Sequence, residues 1–355
     1  MNQCFIPNKF NIDTFYDTLL PFCISSSCDI IDMRKCVWIE NEVIPNLLIL
    51  GEIIKARGDN PPIIFLPKDG ESVKRIKSYL QSINFTKLAQ WYDLYETCYI
   101  ENSYEEEPNR VILPNYCITR SYYSGEDIKN RENAIISMLK EIQYVHSNIF
   151  RNHLSKFDYL SNEKNENGEL VYRSRNYIQD FVVQLIENSI MHGKGKVYFS
   201  MQGNKYGKTC TFTVSDNGIG IDRSMKEKVQ KGEKLSLYAS DTFLKLTERQ
   251  MRKTSCVEAF AYRYDRMSQY GLFNVMSEIF KLGGALDVHT GDMRLIFTSQ
   301  CRQYISDVDS RGSFAMGLMN YLSDYSENVR DTAFFSGTHI SISIPTEKKD
   351  GWHVD

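Results

Sequence analysis

No run of apolar residues in this chain is long enough to cross a bilayer. The greasiest stretch, Leu47 to Ile54, is broken by Gly51 and Glu52. The first residues, Met1-Asn2-Gln3-Cys4, lack the basic start and apolar stretch of a secretory signal. Nor does one charge dominate: 42 Lys and Arg stand against 45 Asp and Glu, a formal net charge of -3. That balance does not indicate a nucleic-acid partner, and the three absences together lead us to expect a cytoplasmic protein without membrane association. The nine cysteines include no Cys-x-x-Cys pair, and the closest two, Cys23 and Cys28, are not followed by a second pair at zinc-finger spacing. Reduced thiols, buried as small apolar groups, are expected.

What is present is a chain of 355 residues, 42% hydrophobic and 25% charged, enough for more than one core. The first hundred residues alternate strand and helix signals. Cys28 to Arg34 and Cys36 to Glu40 are short β-prone runs. From Glu42 to Arg57, Val43, Leu47, Leu50 and Ile54 recur on one helical face, with Pro45 in the first turn and Gly58 just past the end. Pro62-Ile-Ile-Phe-Leu66 suits a buried strand, and a second helix is expected from Glu71 to Ile83. Strand-helix-strand-helix predicts an α/β unit over residues 1–100.

This order resembles the STAS domain, the fold of the anti-sigma-factor antagonists, over Cys28 to Ala89. The resemblance implies a module for packing or partner contact. In the family's regulatory members a phosphorylatable serine opens the first helix. The comparable place here is Glu40-Asn41-Glu42-Val43, without a hydroxyl, so no phosphoserine switch is implied.

Residues 101–165 read as a linker and a long helix. Glu105-Glu-Glu-Pro-Asn109 is a charged break. From Ser124, a stripe of Ile128, Ile135, Met138, Leu139, Ile142, Val145 and Ile149 predicts a helix that docks on its own protein or forms a homodimer interface. His146 and His153 lie on or near it; Ser147 and Leu154 follow them, where a histidine-kinase phosphoacceptor is followed by an acid, so both read as ordinary helix residues. The polar loop 162–168 marks the next boundary.

Residues 166–355 carry the chemistry. Ile178, Phe181, Val182, Leu185 and Ile186 form the apolar face of a helix over 176–191, while Gln184, Asn188 and His192 share another stripe. A side-chain carbonyl such as that of Asn188, aimed at a cavity, suits a hard cation beside phosphate oxygens. Two strands follow, Lys196 to Gln202 and Thr209 to Ser215. The second alternates Cys210, Phe212 and Val214 with Thr and Ser, then runs into Asp216-Asn-Gly-Ile-Gly-Ile221. Gly218 and Gly220 allow close backbone approach to a ligand, and Asp216 offers an acceptor for an exocyclic amine.

The ordered set Leu185-Ile-Glu-Asn-Ser-Ile-Met-His-Gly193, Asp216-Asn-Gly-Ile-Gly-Ile221, Gly271-Leu272 and Ser336-Gly-Thr-His-Ile340 resembles the GHKL superfamily, whose Bergerat ATP-binding fold is an α/β sandwich. The resemblance implies ATP and magnesium as cofactors. It gives Asn188 to the metal and Asp216 to the adenine amino group. Asn217, Gly218 and Gly220 shape the base pocket, Gly337 and Thr338 lie near the adenine, and His192, Gly271 and Leu272 belong to the conserved segments of the site. Asp222 to Tyr270 would be the lid, with Lys226, Lys228, Lys231 and Lys234 as candidate phosphate contacts. The family's general base, four residues before the motif Asn, is replaced here by Gln184, which cannot accept a proton but could orient water. Glu187 lies about 100° around the helix from Asn188. A nucleotide-dependent switch or slow ATPase acting on a protein partner is therefore expected, with a protein kinase of the anti-sigma or histidine type as the alternative.

Overall fold

The computed structural model describes residues 1–67, 71–97, 110–118, 184–186, 188–189, 195–204, 209–262, 264 and 272–345. The fold is mixed, with helices and three sheets. The N-terminal unit runs β1 (Gln3–Phe5), β2 (Lys9–Phe10), α1 (Ile12–Thr14), a π-helical turn at Phe15–Leu19 and α2 (Leu20–Ser25). It continues with β3 (Ile30–Asp32), β4 (Trp38–Ile39), α3 (Val43–Ala56), β5 (Ile63–Phe65), α4 (Glu71–Ser82), α5 (Phe85–Trp91) and β6 (Glu96–Thr97). Its main sheet, in the order β1-β3-β5-β6, is parallel throughout. The expected strands and helices from Cys28 onward fall where periodicity puts them. The segment before Cys28 was not foreseen, because strands of two and three residues leave no period to read.

The second unit consists of β7 (Arg110–Ile118), β8 (Val197–Asn204), β9 (Thr209–Asp216), α6 (Gly220–Gln230), α7 (Ser240–Phe243), α8 (Glu248–Ala261), α9 (Leu272–Lys281) and β10 (Ala285–Phe297), then α10 (Arg302–Ile305), α11 (Arg311–Asp324) and β11 (Val329–Pro345). The strands form an antiparallel sheet in the order β10-β11-β9-β8-β7. Strand alternation gives this sheet two different faces. Phe199, Phe212, Val214, Val288, Ile340 and Ile342 point into a core shared with Val257 and Phe260 of α8, Met276 and Phe280 of α9, and Phe314 and Leu318 of α11. Ser200, Thr213, Ser215, His289, His339 and Ser341 point the other way.

That second face is polar, yet those residues are buried, because α3 of the N-terminal unit lies across β8 and β9 while the π-helical turn and α2 lie against β11, with Tyr16 stacked on His289. Eleven of the 14 residues of α3 are buried, so the helix is wedged between two sheets rather than resting one stripe on its own. The two units also share a core: Tyr198 of β8 and Phe335 of β11 pack with Phe15, Tyr16 and Leu47.

The stretch following Asp216 is built from α6, α7 and α8, and α8 is anchored in the core by Cys256, Val257, Phe260 and Ala261. The stretch expected as a lid packs, as far as it is described, as a wall beyond Gly220. Between β10 and β11 the helical pieces end at Asn328, and β11 begins at Val329. The seven cysteines whose side chains are described are free and buried, as expected. The expected helix from Ser124 with His146 and His153, the Glu105–Asn109 break and the 162–168 loop lie outside the described residues. Among the described residues, no helix is long and apolar enough to cross a membrane.

Candidate functional site

Asp216 is the last residue of β9, and its parity puts it on the same face as Cys210, Phe212 and Val214. The alternation that fills the core therefore ends by directing a carboxylate into it. Asp216 is fully buried. Its Oδ1 accepts from the backbone N–H of Gly218 at 2.9 Å and of Thr338 at 3.3 Å. Its Oδ2 is buried with no partner in hydrogen-bonding geometry. Burial pushes the carboxyl up to about 7, while the two N–H donors and the nearby Ser189 hydroxyl favour the ionised form.

The glycines around it are where close approach requires them. Gly220, at φ +78°, opens α6, and its neighbour Ile221 donates its N–H to Thr290 Oγ1 at 3.1 Å. Gly337, at φ +98°, sits in a bulge of β11: Thr338 pairs with Thr290 and Phe335 with Gly291, so Ser336 and Gly337 are extra residues. The bulge drives the chain onto Asp216, and a methyl group at Gly337 would collide with the Asp216 carbonyl. Asp216, Gly218, Gly220, Thr290, Gly337 and Thr338 thus form one site from three separate stretches of sequence.

The remaining expected residues are distributed around it. Asn188 is helical and half-buried, and its neighbour Ser189 reaches Asp216, which brings that helix to the site. Gln184 is buried one turn earlier. Asn217 turns its carboxamide oxygen to the neighbouring strand, where Oδ1 accepts from Lys196 N–H at 2.7 Å, against Gly195. Leu272 is the first residue of α9 and packs on the core. Glu187, His192 and Gly271 lie outside the described residues. Lys226, Lys231 and Lys234 are exposed on or after α6, while Lys228 sits over the Tyr262 ring at 3.9 Å. Sequence reading missed Ser189, Thr290 and Lys196. Ser189 stood inside a quoted motif, whereas Thr290 and Lys196 carry no local signal.

A cleft of ≈ 440 Å³ lined by α6 and α8 lies beyond Gly220, but the guanidinium inside it, Arg252, is already surrounded by Asp222, Glu248 and Asp292. Its charge is balanced by those three carboxylates, with Nε alone lacking a hydrogen bond, and the unpartnered acceptor of Asp216 is the stronger pointer to a ligand. Comparison of the chain with protein-family models, with curated proteins and with solved structures finds no match in any of the three.

Proposed function

We propose that the chain binds ATP with magnesium through a Bergerat-type site and acts as a nucleotide-dependent switch or slow ATPase. The observation that carries this reading is Oδ2 of Asp216, a buried acceptor without a donor at a place made of glycine backbone. Leaving such a group unpaired costs about 1–3 kcal/mol, and an exocyclic amine would satisfy it. Adenine carries that amine; guanine presents a carbonyl at the corresponding edge and would face the carboxylate unfavourably.

Asn188, beside Ser189, would hold the metal. Among the described residues no group of three or more His, Cys, Asp or Glu is arranged to hold a cation. A magnesium ion at Asn188 would therefore take most of its oxygens from phosphate and water, as this ion commonly does. ATP supplies the transferable γ-phosphoryl group. Gln184 has no basic oxygen to take a proton from water, so hydrolysis should be slow. The N-terminal unit, STAS-like in its element order, would be the part through which a protein partner is engaged.

Incubation with ATP labelled in the γ-phosphate tests the reading. Slow release of free phosphate, or tight binding with neither release nor transfer, fits the switch. Label on the protein itself would establish the kinase alternative instead. ATP and ADP failing to bind wild-type protein, or GDP binding equally well, removes the basis for the assignment.

A further inference from the structure

We infer that Glu52, on α3 of the N-terminal unit, is a positioning residue for the Asp216 site, and that α3 is therefore the element through which the site and the N-terminal unit communicate. The role assigned to the site rests on the nucleotide reading above; the positioning itself does not.

The polar groups of the α3 interface are deeply buried: Asn41, just before the helix, is 3% exposed, Asn46 1% and Glu52 7%. Each bonds across to the antiparallel sheet. At one end, Asn41 takes a hydrogen bond from Ser200 Oγ at 2.8 Å and donates to the Thr211 carbonyl at 3.4 Å. In the middle, Asn46 accepts from Ser215 Oγ at 3.1 Å. At the other end, Glu52 Oε1 receives Lys196 Nζ at 2.6 Å and Tyr198 Oη at 2.7 Å. These buried polar links cross the interface beside the apolar packing of Tyr198 and Phe335.

Two of these links end beside Asp216. Ser215 immediately precedes it. Lys196 is joined to the residue that follows it by two further bonds, its N–H to Asn217 Oδ1 at 2.7 Å and its carbonyl from Asn217 N–H at 3.3 Å. The chain Glu52–Lys196–Asn217 therefore fixes the start of the turn whose Gly218 N–H holds Asp216 Oδ1. No residue of that chain needs to touch a nucleotide. Because coupling is reciprocal, whatever occupies the Asp216 site must bias how α3 docks. Asn41 lies about 16 Å along the helix axis from Glu52 and bonds to strand positions remote from the turn.

The test uses the full chain and two readouts. In nucleotide-free protein, Glu52→Ala is expected to accelerate hydrogen exchange at the Asn217 and Gly218 amides by about 10-fold, whereas Asn41→Ala, a comparable loss in the same interface, leaves those amides unchanged. In titrations with ATP and magnesium, Glu52→Ala is expected to weaken binding by about 5–20-fold. Glu52→Gln keeps an oxygen acceptor for Lys196 and Tyr198 and should restore affinity to within about twofold of wild type. Lys196→Met removes the same link from the sheet side and serves if Glu52→Ala does not fold. Unaltered exchange in Glu52→Ala and Lys196→Met, or equal effects from Asn41→Ala, overturns the inference even if ATP binds. Accelerated exchange in a protein that binds no ATP leaves the positioning in place and removes the nucleotide reading alone.

Discussion

Gly337 and Asp216 meet main chain to main chain: with Gly337 at φ +98°, its α-carbon lies against the Asp216 carbonyl with no room for a side chain. A left-handed backbone and a steric clash thus both select glycine at one position. Gly337→Ala is expected to destabilise the protein by about 2–5 kcal/mol, combining backbone strain with overpacking. The clash moves Asp216 itself, so the variant should also lose ATP affinity under conditions where it remains folded. Urea denaturation with a parallel binding titration checks both, and wild-type stability in the variant would contradict the close approach.

The carboxyl of Asp216 titrates at about 7 in the folded protein, because burial outweighs its two backbone donors and Ser189. Its unfolded value is near ~3.9. The folded state therefore binds the extra proton, and the associated stability is fully present below the unfolded value and lost as pH rises through about 7. The ligand-free protein should show a fall in Tm between about pH 5 and pH 8 that is absent from Asp216→Asn. On the nucleotide reading proposed above, the amine of ATP would donate to the ionised form. Affinity should accordingly rise over the same window, with proton release on binding near pH 6.5, as calorimetry in buffers of different ionisation enthalpy would record. Proton uptake would mean that the acid, not the carboxylate, meets the ligand.

Asn188 is expected to act on the metal and not on the base. Asn188→Ala should make ATP affinity insensitive to magnesium, while adenosine, which has no phosphates to bridge, binds as in wild type. Asp216→Ala should abolish both. Titrations with and without magnesium distinguish the two residues, and an Asn188→Ala protein that still gains affinity from magnesium would move the metal elsewhere.

Much of this arrangement was legible because local patterns are strong where one face is buried. Cys210, Phe212 and Val214 fix the parity of β9 and with it the inward direction of Asp216. The burial of α3 was not legible: its sequence shows a stripe at Val43, Leu47, Leu50 and Ile54, and nothing local signals that Asn46 and Glu52 meet a second sheet. The same limit explains Ser200, Thr213 and Ser215, whose alternation predicts a solvated sheet face that α3 in fact occupies. Gly337 was legible as a motif glycine but not as a strand bulge, since the pairing that makes it extra joins positions far apart in the chain. Thr290 and Lys196 act through single bonds to the site, and no spacing announces such a bond.

Glu258 of α8 is fully buried and carries four contacts: Oε1 accepts the N–H of Ser236 at 2.8 Å and of Leu237 at 2.7 Å, and Oε2 accepts Ser236 Oγ at 2.8 Å and Arg311 Nη2 at 2.9 Å. One carboxylate thereby ties the chain after α6 to both α8 and α11. Glu258→Ala removes the anion from beside the Arg311 guanidinium and strips two half-buried amides of their acceptor, so a loss of about 3–5 kcal/mol is expected. Glu258→Gln keeps a carbonyl for the two amides but turns an NH2 toward Arg311, and should cost less, about 1–3 kcal/mol. In both variants hydrogen exchange should quicken at Ser236 and Leu237 before it does in β9. If instead β9 opens first, Glu258 supports the core as a whole and not the wall beyond Gly220.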